Sequence, residues 1–262
     1  MASWKVVPIC DYQKLDVRPE DLLNGGHFRK CETYRGGGGY DQFPAIAKKR
    51  LGLEFEPHKQ FIVQLYGCNL DCPYCYVTRT GIWSPYVEYS TTDLIAAFTK
   101  SGQQVFHLMG GAPALYLEDW PEIADGVQGY GFPVFHSDLL LTEKDYDPFI
   151  LGKLARYDNA LFAVDIKGVT PADFEKNTRK PLKEAMFWAN LDKLVTFDVK
   201  FYITFTAPDK HEFFPFCDKL KKRYGNQILD DSFVIDLIDY DATPFVDILP
   251  VKTGGKLETG NV

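Results

Sequence analysis

The sequence predicts an α/β protein built on a parallel, barrel-like sheet, and two features of the chain support this. From about residue 60 onward, short apolar, β-branched or aromatic runs alternate with longer helix-like stretches, the pattern of repeated βα units. The chain of 262 residues, 45% hydrophobic and 15% aromatic, is also large enough to bury the core that such a sheet needs.

Six strands are expected in order: Phe61 to Tyr66, Gln104 to Met109, Phe132 to His136, Ala160 to Asp165, Val199 to Thr204 and Phe233 to Ile238. Helices fill the intervals. One opens at Ser90-Thr91-Thr92-Asp93, where Ser90 and Asp93 have capping-box spacing. Another opens at Thr170-Pro171-Ala172-Asp173, which offers an N-cap hydroxyl, a proline at the first helical position and an acid in the first turn. A third runs from Asp209 to Arg223 and ends in Lys219, Lys221, Lys222 and Arg223 before Gly225, where positive charge suits the helix dipole without any ligand.

Ahead of these units, residues 1–58 form an N-terminal extension of different character, expected as a lid or substrate-facing segment. Its Tyr34-Arg35-Gly36-Gly37-Gly38-Gly39-Tyr40 is expected as a loop, because four glycines lose too much backbone entropy for regular structure. It lacks the Lys-Ser/Thr ending of a phosphate-binding loop. The nearby Arg29, Lys30, Arg35, Lys48, Lys49 and Arg50 make a basic patch that reads first as a solvated face and second as a contact for an acidic substrate. Residues 59–250 carry the βα units, and 251–262 read as a flexible tail.

Twenty-nine Lys and Arg against 36 Asp and Glu give a net charge of −7, so nucleic acid is not an expected partner. No run of eighteen apolar residues occurs and the start of the chain lacks the apolar core of a signal peptide, so neither a membrane nor secretion is expected, and a cytoplasmic setting is. Six cysteines are too sparse for a disulfide scaffold. Cys10, Cys31 and Cys217 are solitary and read as small buried hydrophobes. Cys68, Cys72 and Cys75 fall within eight residues, directly after the first apolar run, and point to a metal.

Their spacing, C-x3-C-x2-C, suits three irons of a [4Fe–4S] cube with the fourth iron left open to substrate chemistry. Structural zinc prefers four closed ligands and would need His58 or His107 to complete a Cys3His set. A cluster used only for electron transfer is the other alternative.

With Tyr74 as the aromatic before Cys75, the stretch Gly67-Cys68-Asn69-Leu70-Asp71-Cys72-Pro73-Tyr74-Cys75 resembles the signature of the radical S-adenosylmethionine (AdoMet) superfamily. Met109-Gly110-Gly111-Ala112-Pro113 is similar to that family's Gly-Gly-Glu-Pro element, with Ala112 in place of the acid, so backbone contacts persist while a side-chain carboxylate is lost. Asp165-Ile166-Lys167-Gly168 resembles the Asp-x-Lys element of the glycyl-radical, or pyruvate formate-lyase, activating type. Residues two apart on a strand share a face, so Asp165 and Lys167 can project into one pocket.

The resemblance implies a partial (β/α)6 TIM-like barrel, open on one side, with the N-terminal extension beside the opening and the site at the strand carboxyl ends. It implies a [4Fe–4S] cluster held by Cys68, Cys72 and Cys75, and AdoMet oriented by Tyr74, Gly110, Gly111, Ala112, Asp165 and Lys167, with Ser137 and Asp241 as ribose and adenine contacts. No second C-x2-C pair exists, so a single cluster is expected. The implied partners are a reductant protein such as flavodoxin or ferredoxin and a protein or peptide substrate, or a small metabolite or nucleotide.

Overall fold

In the computed structural model the described residues are 2–7, 39–54, 60–74, 86–129 and 134–235, with backbone alone for 39–42. The chain folds as an α/β partial barrel. Its elements in order are β1 (Ser3–Val6), α1 (Gly39–Leu51), β2 (Gln60–Gln64), β3 (Val87–Ser90), α2 (Thr91–Ser101), β4 (Val105–Met109), a 3-10 stretch (Pro113–Asp119), α3 (Trp120–Gln128), β5 (Val134–Leu139), α4 (Pro148–Leu154), β6 (Ala160–Ile166), α5 (Pro171–Thr178), α6 (Glu184–Thr196), β7 (Phe201–Thr206), α7 (Phe213–Tyr224), a short 3-10 turn (Asn226–Leu229) and β8 (Phe233–Ile235). Six strands pair in parallel in the order β2-β4-β5-β6-β7-β8, while β1 and β3 form an antiparallel pair.

All six expected strands are present, with ends that differ for physical reasons. β5 continues to Leu139 although Ser137 and Asp138 resemble turn formers, because the Ser137 hydroxyl donates to the Leu108 carbonyl at 3.1 Å and stays in the sheet. β7 begins at Phe201 rather than Val199, because the Val199 amide still closes onto Leu194 at the end of α6. Residues of the sixth expected strand beyond 235 lie outside the described residues.

The helix starts follow local chemistry. At α2, Ser90 Oγ accepts from the Asp93 amide and the Asp93 carboxylate accepts from the Ser90 amide, a reciprocal cap. At α5, Thr170 Oγ1 accepts from the Asp173 amide with Pro171 next in line. α7 starts at Phe213, four residues later than expected, because Asp209 accepts from the His211 and Glu212 amides in a turn of its own.

The glycine run needs a correction. Gly39 and Tyr40 open α1 instead of belonging to a loop, and Gly36–Gly38 lie outside the described residues. Packing overrides the low propensity of glycine there, since the helix buries Phe43, Ile46 and Ala47. The basic residues at its end are accounted for within the fold: Lys49 and Arg50 pair with Asp231, and Lys48 pairs with Glu54.

Alternation along the strands divides the core in two. Phe61, Val63, Leu65, Phe106, Leu108, Phe135, Phe162, Val164, Ile203 and Phe205 face the outer helices and pack with Leu94, Ile123, Leu151, Leu191 and Leu220. On the concave face, Val105, Val134, Leu161, Ala163 and Tyr202 pack with Phe43, Ile46 and Ala47 of α1. A helix of the N-terminal segment therefore fills the amino-terminal half of the barrel interior. β1 belongs to the main core through Trp4 and Val6, and its backbone joins the end of β2 through Val7 N to Gln64 O and Tyr66 N to Lys5 O, both 2.9 Å. Cys217 is buried in the outer core, as a solitary cysteine should be, whereas Cys10 and Cys31 are outside the described residues. Among the described residues, no helix is long and apolar enough to cross a membrane.

Candidate functional site

The site forms at the carboxyl ends of the strands, where four segments meet. The first is the loop after β2. Gly67 has φ +90°, a left-handed turn that suits glycine, and the chain then carries Cys68 and Cys72, both half-buried, past Leu70. Leu70 packs with Leu140 and Phe174 against the two cysteines. Asn69 donates to the Thr142 carbonyl at 3.0 Å and the Asp71 amide donates to the Thr178 carbonyl at 3.0 Å. The thiols thus ride on a loop tied at several points to the loop after β5 and to the end of α5. Cys75 lies outside the described residues.

The second segment is the turn after β4. Gly110 and Gly111 have φ +70° and +58°. A Cβ at Gly111 would fall 2.3 Å from the Gly67 carbonyl oxygen and 2.6 Å from that of Leu65, and one at Gly110 would fall 2.4 Å from Gln64 Cγ. The Ala112 amide donates to Gly67 O at 2.8 Å. The two glycines are therefore needed twice, for a left-handed backbone and for contact between this turn and the root of the cysteine loop. Ala112 is fully buried, and Pro113 starts the 3-10 stretch.

The third segment is the end of β6. Asp165 and Lys167 share a face and form an ion pair, with 14% and 16% of their side chains exposed. Thr206 and Thr204 of β7 donate to Asp165 Oδ1 at 2.9 and 3.3 Å. Lys167 Nζ also lies 5.7 Å from the ring centroid of Tyr74, which links this pair to the cysteine loop. A Cβ at Gly168 would fall 2.2 Å from Phe174 N, so the residue after Lys167 has no room for a side chain against α5.

The loop after β5 is the fourth segment. Asn190 of α6 clamps it, accepting from the Tyr146 amide and donating to the Leu141 and Lys144 carbonyls at 2.7 Å each. Within it, Glu143 is buried and accepts hydrogen bonds from the backbone amides of Leu140 and Ala114. Burial pushes its carboxyl up to about 8 despite those two bonds. No sequence pattern singled out Glu143, because its partners are 3 and 29 residues away.

Below this rim, on the same concave face, stand His107 and His136, neighbours in the parallel register of β4 and β5. His107 bonds Gln60 and His136 bonds the Tyr202 hydroxyl. Burial, reinforced by His107, holds the His136 pKa well below its usual value, and burial raises that of Tyr202 well above the phenol range. Among the described residues, His107 gathers with His136 and Asp138 at distances fit for one ion, not with Cys68 and Cys72, so it does not complete a Cys3His set with them. His58 and Asp241 are outside the described residues. Ser137 points to the outer face, fully buried, with its hydroxyl on Leu108 O; Asp138 is the residue of that strand end on the concave face.

A parallel partial barrel that gathers thiols, a glycine turn and a charged pair at its strand carboxyl ends has the layout of a cofactor-dependent barrel enzyme. The sequence profile of the radical SAM superfamily matches residues 62–210, and the chain belongs to that superfamily, whose cofactors are a [4Fe–4S] cluster and AdoMet. No curated protein matches the chain in sequence. Among solved structures, it is similar to anSMEcpe with bound AdoMet, at 14% identity over 65% of this chain and 49% of that one, TM-score 0.46. It is also similar to Streptococcus suis SuiB bound to the precursor peptide SuiA, at 12% identity over 69% and 41%, TM-score 0.49. A third is the FeFe-hydrogenase maturase HydG from Carboxydothermus hydrogenoformans, at 12% identity over 80% and 60%, TM-score 0.46. The chain spans about half the length of the first of these.

Proposed function

We propose that Cys68, Cys72 and Cys75 ligate the cluster, that Gly110, Gly111 and Ala112 offer backbone groups to the methionine end of AdoMet, and that Asp165 and Lys167 hold its ammonium and carboxylate. The donor set fits the group: two half-buried thiols stand on a clamped loop, beside a turn whose glycines let it pack directly against the root of that loop. The observation that carries the reading is the position of Lys167, ion-paired with Asp165 and 5.7 Å from the Tyr74 ring centroid, which joins the Asp-x-Lys strand end to the cysteine loop.

When bound, the cluster and AdoMet supply a 5′-deoxyadenosyl radical that removes a hydrogen atom from the substrate. The chain's own residues bind and orient. Asp165, held by the Thr204 and Thr206 hydroxyls, presents one oxygen to a cation, and Lys167 exchanges its internal partner for a carboxylate. Tyr74 stacks by its backbone on the adenine, and Asp241 completes the nucleoside side. The apolar wall of Leu70, Leu140 and Phe174 keeps water from the thiols.

The substrate we favour is a protein or peptide backbone position, as in the glycyl-radical activating type, on the strength of the Asp-x-Lys pair. A small metabolite or nucleotide is the second reading, favoured by α1, which packs into the amino-terminal half of the barrel interior. The electron comes from a reductant protein such as flavodoxin or ferredoxin, in a reducing, cytoplasmic setting that keeps the thiols reduced.

The test is anaerobic reconstitution with iron and sulfide, addition of a strong reductant and AdoMet, and measurement of 5′-deoxyadenosine. Product is expected from the native chain and none from Cys72→Ala. Absence of product from a fully loaded native chain overturns the reading. Lys167→Ala is expected to weaken AdoMet binding by about 10- to 100-fold, the worth of a charged hydrogen bond, with iron content intact; loss of iron instead assigns Lys167 to the loop's integrity.

A further inference from the structure

We propose that His107, His136 and Asp138 form a second metal site, inside the barrel, for one divalent transition-metal ion of the Zn2+ or Fe2+ kind. His107 and His136 face each other across β4 and β5 as register partners, and Asp138 follows two residues on, on the same face. Both imidazoles are buried, at 4% and 3% exposure, with ring centroids 4.3 Å apart.

Each ring is held from behind through one nitrogen. His107 Nδ1 lies 2.9 Å from Gln60 Oε1, and His136 Nε2 lies 3.0 Å from the Tyr202 hydroxyl. An amide oxygen accepts and never donates, so His107 carries its proton on Nδ1 and turns the lone pair of Nε2 inward. The other nitrogen of each ring, His107 Nε2 and His136 Nδ1, is buried without a hydrogen-bond partner. Two such nitrogens side by side in a protein interior are uncommon, because buried polar groups are nearly always satisfied. Asp138 Oδ1 stands 3.9 Å from His107 Nε2, and one ligand atom from each of the three residues falls within 4.8 Å of the others.

An ion with bonds of about 2.0–2.2 Å satisfies both orphaned nitrogens and the carboxylate after a small inward turn of the side chains. Asp138, the most exposed of the three at 37%, has the freedom to make that turn. Two imidazoles and a carboxylate suit zinc or ferrous iron, and the oriented outer nitrogens are the support such ligands usually have. Three protein ligands leave a fourth position for water or a donor atom of the substrate, below the rim where the cysteines stand.

The test uses the full chain, reconstituted anaerobically and then dialysed against Zn2+, with zinc, iron and sulfide measured in the same samples. One zinc per chain beyond the cluster iron is expected in the native chain and in a variant with Cys68, Cys72 and Cys75 all changed to Ala. Co2+ in place of Zn2+ is expected to give a visible ligand-field spectrum without sulfur charge-transfer bands. Asp138→Asn, at a partly exposed position, and His107→Gln, which keeps a polar side chain, are each expected to lose the zinc while the thermal unfolding transition persists. Gln60→Ala and Tyr202→Phe should weaken zinc binding by about 10- to 100-fold through the outer shell. No zinc in the native chain, or the same zinc in Asp138→Asn and His107→Gln, overturns the site. The cysteine triple variant separates this outcome from the cluster assignment.

Discussion

The two halves of the concave face of the sheet are built from the same strands and yet differ in kind. Toward the amino ends, Val105, Val134, Leu161 and Ala163 meet Phe43, Ile46 and Ala47 in an apolar contact that any well-packed core could make. Toward the carboxyl ends, these strands and their neighbour β7 present Asp138, Asp165, Thr204 and Thr206, and the loops beyond them are tied by backbone and amide hydrogen bonds as well as by the small apolar cluster of Leu70, Leu140 and Phe174. Stability is concentrated in one half and chemistry in the other, only two to four residues apart along a strand. A barrel can carry a polar, partly wet rim because the helix plugging its lower half supplies the burial that the rim gives up.

Substitutions break this comparison in graded ways. The largest effect is expected from Gly111→Ala. A methyl 2.3 Å from a backbone carbonyl, at positive φ, forces the turn away from Gly67, so iron loading after reconstitution should fall nearly to zero. In the lower half, Phe43→Ala removes a buried ring whose centroid lies 4.1 Å from that of His136, and denaturant unfolding should show a loss of about 3–5 kcal/mol.

Glu143→Gln sharpens the contrast through pH. With its folded pKa at about 8 against 4.5 for the ordinary carboxyl, Glu143 favours the folded chain fully below pH 4.5, and that contribution is lost as pH rises through 8. The native unfolding free energy should therefore fall between pH 5 and 9 more steeply than that of Glu143→Gln, with a difference on the order of 4 kcal/mol over the range. The smallest effect belongs to Arg50→Ala, which removes a partly exposed pairing of α1 with Asp231 and should change stability by about 1 kcal/mol or less in the same unfolding assay.

What the sequence made legible follows the reach of each interaction. Strands and capped helices are local, so the apolar runs and the Ser90 and Thr170 caps could be read directly, while strand ends moved where other bonds intervened, Ser137 to Leu108 extending β5 and Val199 to Leu194 delaying β7. The Cys68, Cys72 and Cys75 spacing could be read as a motif because it falls within eight residues of sequence, and the shared face of Asp165 and Lys167 because two-residue spacing on a strand fixes it. The role of α1 was not legible. A glycine run with a proline five residues further on reads as loop, and only the complementary surface of the barrel makes it a helix. The His107–His136 pair was equally hidden, since its register is set by a sheet pairing across 29 residues and neither strand alone declares which face holds its neighbour. Asn190 was missed for the same reason, and so was Glu143, whose second backbone partner, Ala114, comes from another element.

One feature of the rim bears on how the protein responds to its medium. Because Asp165 and Lys167 already neutralise each other, the pair presents no net charge to a visitor. A zwitterion entering there replaces one internal contact with two external ones of opposite sign, leaving the charge count unchanged. Its capture should therefore vary little with ionic strength, whereas a purely anionic or cationic intruder would leave one of the two side chains without a counter-charge and be turned away.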